Sequence, residues 1–136
     1  MKVIRWIGHP IIFICVYLLL ITEGVNFGGF YMLYLLLALP HGALYAALAI
    51  VGIAFIIIGF NLSRVNKAIK PILYLLGLLS MILSLLNFFA TGDQTNTFKS
   101  TVPLISFILL RICGLFFFIY TLSLFEKPQS KRMQMV

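Results

Sequence analysis

Long apolar runs separated by short polar segments dominate the chain. Four of them have the length of about 20 residues that a helix needs to cross a bilayer, and they predict spans at about 6–26, 43–60, 71–90 and 102–125. A fifth run, 30–39, is too short to cross and ends at Pro40-His41-Gly42, a strong helix interruption. We therefore expect one all-α domain over residues 1–136, an integral membrane four-helix bundle with an additional short re-entrant or interfacial half-helix.

Composition supports a membrane protein and argues against a soluble one. The chain is 62% hydrophobic and 10% charged, whereas a soluble domain carries about 25% charged residues. The net charge of +7 comes from basic residues that flank the apolar runs. They do not form a patch interleaved with aromatic residues, so no nucleic-acid partner is expected. The lipid bilayer is the expected main solvent.

The basic residues also predict an orientation. With four spans, the N-terminus, the loop 61–70 and the C-terminal tail share one side of the membrane. All ten Lys and Arg residues except Lys99 and Arg111 then lie on that side. By the positive-inside rule, both termini are expected in the cytoplasm, in a membrane of the bacterial inner-membrane type.

Small residues form two stripes at helical spacing, one on each middle span. The members are Ala49, Gly52 and Gly59 on one span, and Gly77, Ser80, Ser84, Asn87 and Thr91 on the next. Small residues let helix backbones approach closely, and hydroxyl groups can form hydrogen bonds between helices. The first stripe predicts a packing face. The second predicts either hydrogen bonds between helices or the wall of a polar pocket, and packing is the favoured interpretation.

Arg111 lies inside the last apolar run, where a charge is costly and marks a candidate functional site. Its side chain leans toward the N-terminal end of its helix and can extend toward the membrane surface. Glu23, His41, Asn87 and Ser84 are expected at a similar depth, in the outer leaflet. We therefore predict an outer-leaflet polar cluster with Glu23 as the counter-charge of Arg111. It is either a polar clasp between helices or a site for a small anion or lipid headgroup.

No residue pattern predicts catalysis, a metal site or a cofactor. The three acidic residues include no paired carboxylates, and the sequence has no Ser-His-Asp set, glycine-rich phosphate loop or His-x-x-x-His motif. Cys15 and Cys113 each lie within an apolar run, where a packing role is expected. These observations favour a protein that is not an enzyme.

Two functions follow as expectations. The first is a small, multi-pass, non-enzymatic accessory or scaffold subunit that packs with itself, as a homo-oligomer, or with a larger membrane partner. The alternative is an oligomeric small transporter or channel that uses an outer-leaflet polar site at Arg111 and Glu23.

Overall fold

The computed structural model describes residues 8–23, 28–61, 69–91 and 101–133, with side chains up to Leu124 except that of Glu23. The described elements are mainly helical. In chain order they are α1 (Pro10–Leu18), β1 (Ile21–Glu23), β2 (Gly28–Phe30), α2 (Tyr31–Ala38), a 3₁₀ turn (Leu39–His41), α3 (Leu44–Asn61), α4 (Ile69–Thr91) and α5 (Thr101–Met133).

Three of the described helices are long and apolar enough to cross a membrane. They are α3 with 18 residues, α4 with 23 residues and the segment Thr101–Leu124 of α5 with 24 residues. At 1.5 Å per residue, even the shortest of these covers about 27 Å, close to the about 30 Å hydrocarbon thickness of a bilayer. Pro71 lies in the first turn of α4, where its missing N–H leaves no helical hydrogen bond unmade.

The first apolar run does not form the long helix that its hydropathy predicts. His9 caps α1, its Nδ1 accepting a hydrogen bond from the Ile11 N–H at 3.3 Å, and the helix has only nine residues. Such a helix covers about 14 Å, so a span at 6–26 is not shown by the described residues. The structure therefore supports a helical membrane protein with three candidate spans, and four spans are not established.

An antiparallel strand pair follows α1 and departs from the all-α expectation. Ile21 pairs with Phe30, Thr22 with Gly29, and Glu23 with Gly28. Two local features favour extended backbone here: β-branched residues suit strands, and adjacent glycines are poor helix formers. The pair gives the backbone groups of the two strands partners in each other.

The predicted half-helix is present as α2 with its 3₁₀ extension. Gly42 ends it with a φ of 68°, a left-handed conformation that glycine adopts without a Cβ clash. The Gly42 N–H donates to the Leu39 carbonyl at 3.1 Å, and the Ala43 N–H donates to the Ala38 carbonyl at 3.3 Å. These bonds close the helix at the break that Pro40-His41-Gly42 predicts.

Candidate functional site

The two small-residue stripes lie against each other at the interface between α3 and α4. The stripe residues that are buried are Ala49, Gly52, Gly59, Gly77, Ser80 and Ser84. A Cβ on Gly59 would lie 3.0 Å from Cε1 of Tyr74, so the tyrosine ring packs directly on that glycine backbone. Close backbone approach of this kind is how helices associate where lipid gives no hydrophobic advantage to helix contact.

The serine hydroxyls of α4 bind backbone carbonyls of α3. Ser80 Oγ donates to the Leu48 carbonyl at 2.7 Å, and Ser84 Oγ donates to the Tyr45 carbonyl at 2.6 Å. Each carbonyl already belongs to a helix, and its second lone pair takes the extra bond. In the structure, therefore, these two serines are occupied in joining helices.

A tyrosine from α2 completes the hydrogen bonding of Ser84. The Tyr31 hydroxyl lies 2.8 Å from Ser84 Oγ, and because the Ser84 proton goes to Tyr45, Tyr31 is the donor. Tyr31 is fully buried, and its ring makes an edge contact with Phe88 of α4. The sequence pattern does not predict this role of Tyr31. A tyrosine within an apolar run is a usable signal, since a buried hydroxyl needs a partner.

The last helix contacts the strand pair near its start and contacts α1 and α4 further along. Ser106 of α5 accepts a hydrogen bond from the Ile21 N–H at 3.2 Å, which connects α5 to the strand pair. Further along α5, the ring of Phe117 stacks on Phe13 of α1 with centroids 4.8 Å apart. Phe117 is fully buried, and its ring also lies 5.3 Å from that of Tyr74 on α4.

Between these contacts, α4 and α5 leave an apolar groove of about 700 Å³. The wall from α4 is formed mostly by leucine side chains, and the wall from α5 by aromatic and aliphatic ones. One end is closed by the edge contact between Phe89 of α4 and Phe107 of α5, whose centroids are 5.7 Å apart. Arg111 is the one charged residue among the described residues that line this groove.

Arg111 is exposed, and its guanidinium carbon lies 5.3 Å from the centroid of the Phe107 ring. Phe107 is one turn nearer to the start of α5, so the arginine side chain extends toward the N-terminal end of its helix. The ring face attracts the cation and covers part of its apolar stem. The charge therefore lies at the closed end of the groove.

The other members of the predicted polar cluster lie on several different elements. Ser84 is hydrogen-bonded to the Tyr31 hydroxyl and to the Tyr45 backbone carbonyl. His41 is exposed in the 3₁₀ turn. Asn87 is half-buried on α4, where its backbone carbonyl accepts a hydrogen bond from Thr91 Oγ1 at 2.7 Å. The side chain of Glu23 lies outside the described side chains, so its pairing with Arg111 stays a prediction.

The backbone near Glu23 nevertheless constrains that pairing. Strand β1 ends at Glu23 and contacts α5 at Ser106. Ser106 and Arg111 are separated by about 140° around the helix axis at 3.6 residues per turn. Arg111 therefore faces the groove on a different side of α5 from the strand pair.

Metal chemistry and comparison with known proteins add no further assignment. Within the described part of the chain, no three His, Cys, Asp or Glu residues are grouped so that they could hold a metal ion. Cys15 is exposed and Cys113 half-buried, each a free thiol. The groove and Arg111 form the candidate site. No protein-family model, no curated protein and no solved structure matches the chain.

Proposed function

We propose that the chain is a non-enzymatic accessory or scaffold subunit that packs in the membrane with itself or with a larger membrane protein. The observation that carries the proposal is a pair of alanines on the outer side of α3, a side that they share with the exposed Val51 and Ile58. Ala47 and Ala54 lie about 140–160° around α3 from Ala49, at 3.6 residues per turn. Ala47 is exposed and Ala54 half-buried, so the outer side of α3 offers another helix a close approach.

The uneven burial of the helices supports the same proposal. Only 17% of the apolar segment of α5 is buried within the chain, compared with 33% for α4. Lipid can cover such a surface, and so can helices of another subunit. The tight pair formed by α3 and α4 would then be the framework, with α5 and the outer side of α3 available for assembly.

The contacts of the polar residues favour this role over a transporter or channel. Ser80 and Ser84 bond to carbonyls within a helix interface, whereas a conducting passage needs polar groups that face open space. The groove beside Arg111 is apolar along its length, which suits hydrocarbon better than water or ions. Reconstituted vesicles containing the chain are expected to show no more ion or solute flux than empty ones.

The experiment that tests the accessory role is a substitution on the outer side of α3. Ala47→Phe replaces a small side chain on the outer side of α3 by a large one, and Ala90→Phe makes the same change at an exposed position of α4. After extraction from native membranes in a mild detergent, native mass spectrometry should find the wild type and Ala90→Phe in an assembly larger than one chain. Ala47→Phe should dissociate it. A wild-type particle that contains one 15.4 kDa chain and no other protein would contradict the proposal.

A further inference from the structure

The groove between α4 and α5 has the dimensions of a lipid-chain site. From Phe107 to Phe118 its α5 wall extends about 17 Å at 1.5 Å per residue, and it occupies the middle of the apolar segment Thr101–Leu124. Its volume of about 700 Å³ lies within the usual range of ligand pockets, about 300–1,000 Å³. Because both walls belong to helices long enough to cross a membrane, the groove runs parallel to the hydrocarbon chains of the bilayer.

The walls suit a flexible chain better than a packed helix. The α4 wall consists of Leu75, Leu78, Leu79, Met81, Ile82, Leu85, Leu86 and Phe89. These side chains are large, whereas helices in membranes associate closely through small residues. The exception is Gly114 on α5, which also lines the groove and lies beside Phe13, so that an added Cβ would be 3.5 Å from Cε2 of that ring.

The position of the charge indicates which lipids fit. Arg111 lies at the end of the groove that Phe89 and Phe107 close, and its guanidinium points toward the start of α5. That is the direction of one membrane surface, where headgroups lie. A guanidinium carries a planar fork of donors that matches phosphate oxygens. No acidic side chain is among the described residues that line the groove.

We propose that this groove binds an acyl chain of an anionic phospholipid, with the lipid phosphate held by Arg111. The lipid phosphate pairs with the charge of Arg111, and the acyl chain covers the leucine side chains of the α4 wall. A zwitterionic lipid offers the same chain and a phosphate whose charge is offset by its amine. Selectivity for the anionic lipid should therefore depend on Arg111, and occupancy by either lipid should depend on the space in the groove. The groove includes no residue of α3, the helix on which the assembly role is tested.

The test is a lipid titration of the delipidated full chain in detergent, read by native mass spectrometry. The probes are phosphatidylglycerol and phosphatidylcholine with identical acyl chains. Arg111→Gln should reduce the preference for phosphatidylglycerol by about tenfold, the size expected for loss of one charge-assisted hydrogen-bonded contact. Arg111→Lys, which keeps the charge, should retain most of the preference.

Two tryptophan variants of α4 test whether the chain occupies the groove. Ile82 and Leu83 are neighbours with nearly equal exposure, 46% and 44%, but only Ile82 lines the groove. Ile82→Trp should lower the occupancy by both lipids severalfold, and Leu83→Trp should behave like the wild type. Thermal melting followed by circular dichroism shows whether each variant is folded, and the Arg111→Lys and Leu83→Trp variants keep the test informative if one of the others unfolds.

The outcomes separate this proposal from its rivals. Unchanged lipid binding in folded Arg111→Gln and Ile82→Trp would overturn it. If these two variants leave lipid binding intact but dissociate the assembly, the groove holds a helix of another subunit, and the lipid proposal fails. If Ala47→Phe dissociates the assembly while lipid selectivity is retained, both proposals stand, because each depends on its own surface.

Discussion

The backbones of Gly52 and Gly77 touch so closely that a methyl group on either one would overlap the other. A Cβ built on Gly52 would lie 2.9 Å from the Gly77 carbonyl oxygen, and one on Gly77 would lie 2.8 Å from the Gly52 carbonyl oxygen. The opposing atoms belong to the backbones of α3 and α4, so they cannot move aside as a flexible side chain could. This reciprocal contact sets the distance between the two helices.

We therefore expect Gly52→Ala and Gly77→Ala each to lower the free energy of unfolding by about 1–3 kcal/mol, the usual cost of overpacking. The higher helix propensity of alanine, about 1 kcal/mol, offsets part of this loss. Gly114→Ala is the matched control, because its Cβ would meet Phe13 at an ordinary distance of 3.5 Å. Reversible unfolding in mixed detergent micelles measures the differences. Equal stability of all three variants would show that the α3–α4 contact is looser than the 2.8 Å and 2.9 Å separations indicate.

Two buried tyrosines should respond in opposite ways to loss of the hydroxyl. Tyr31 donates to Ser84, whereas the Tyr74 hydroxyl is the one buried side-chain polar atom without a hydrogen-bond partner in the described part of the chain. Tyr31→Phe should lower the free energy of unfolding by about 0.6 kcal/mol, the average for such bonds between membrane helices. Tyr74→Phe removes an unsatisfied group and should leave stability equal or raise it by up to about 1 kcal/mol.

The same unfolding assay compares the two variants directly. Ser84→Ala should cost more than Tyr31→Phe, because it leaves the buried Tyr31 hydroxyl without its acceptor. Adding Tyr31→Phe to Ser84→Ala should then cause little further loss. If Tyr31→Phe and Tyr74→Phe shift stability in the same direction by the same amount, the Tyr31–Ser84 bond contributes nothing.

Helical periodicity predicts which residues share one side of a helix, and this was sufficient to single out Gly52 and Gly77. The members of each stripe recur at helical spacing, and small residues in membrane helices mainly serve close packing between helices. Periodicity does not give the rotation of one helix relative to the next. For that reason Ser84 could be placed at the depth of Arg111 but not assigned to the Tyr31 contact, which comes from a different element.

Hydropathy alone also fails at the first apolar run. A window average treats Pro10–Leu18 and the following Ile21 and Thr22 as one continuous apolar segment, although the backbone changes from helix to strand between them. The change is stabilised by contacts distant in sequence, such as the Tyr31 N–H donating to the Leu20 carbonyl at 2.7 Å. Pairing of this kind depends on tertiary context more than on local propensity.

Among the described residues, the hydroxyl of Ser106 hydrogen-bonds the strand pair to α5. Ser106 Oγ accepts from the Ile21 N–H and donates to the Pro103 carbonyl at 2.8 Å or the Ile21 carbonyl at 3.2 Å. We expect Ser106→Ala to speed hydrogen exchange at the Ile21 amide, because that N–H loses its acceptor. Ser123→Ala is the control, since Ser123 donates only within α5, to the Tyr120 carbonyl at 2.7 Å.

Hydrogen exchange read by mass spectrometry resolves this effect in peptides that cover residues 18–23. The Ser106 variant should exchange faster in that peptide while peptides from α3 and α4 stay unchanged. An increase that extends equally to α3 and α4 would mean global destabilisation and would contradict the local role of Ser106.

Two partners compete for the charge of Arg111: the Glu23 carboxylate that the sequence suggests and the lipid phosphate that the groove suggests. They are separated by a double-mutant cycle with Arg111→Leu, Glu23→Gln and the double variant. Because Arg111 lies about 140° around α5 from the Ser106 contact with the strand pair, we expect a coupling energy below about 0.5 kcal/mol, the level at which independent sites are additive.

Glu23→Gln should then leave the preference for phosphatidylglycerol unchanged, since the lipid and not the carboxylate answers the arginine. The opposite result is equally distinct. If both single variants are destabilised and the double variant recovers, the two residues form an ion pair, because removing one partner leaves the other charge uncompensated. In that case Glu23→Gln would also raise the affinity for the anionic lipid by freeing the guanidinium. Whether Glu23→Gln leaves anionic-lipid binding unchanged or strengthens it therefore decides which counter-charge Arg111 has in the membrane.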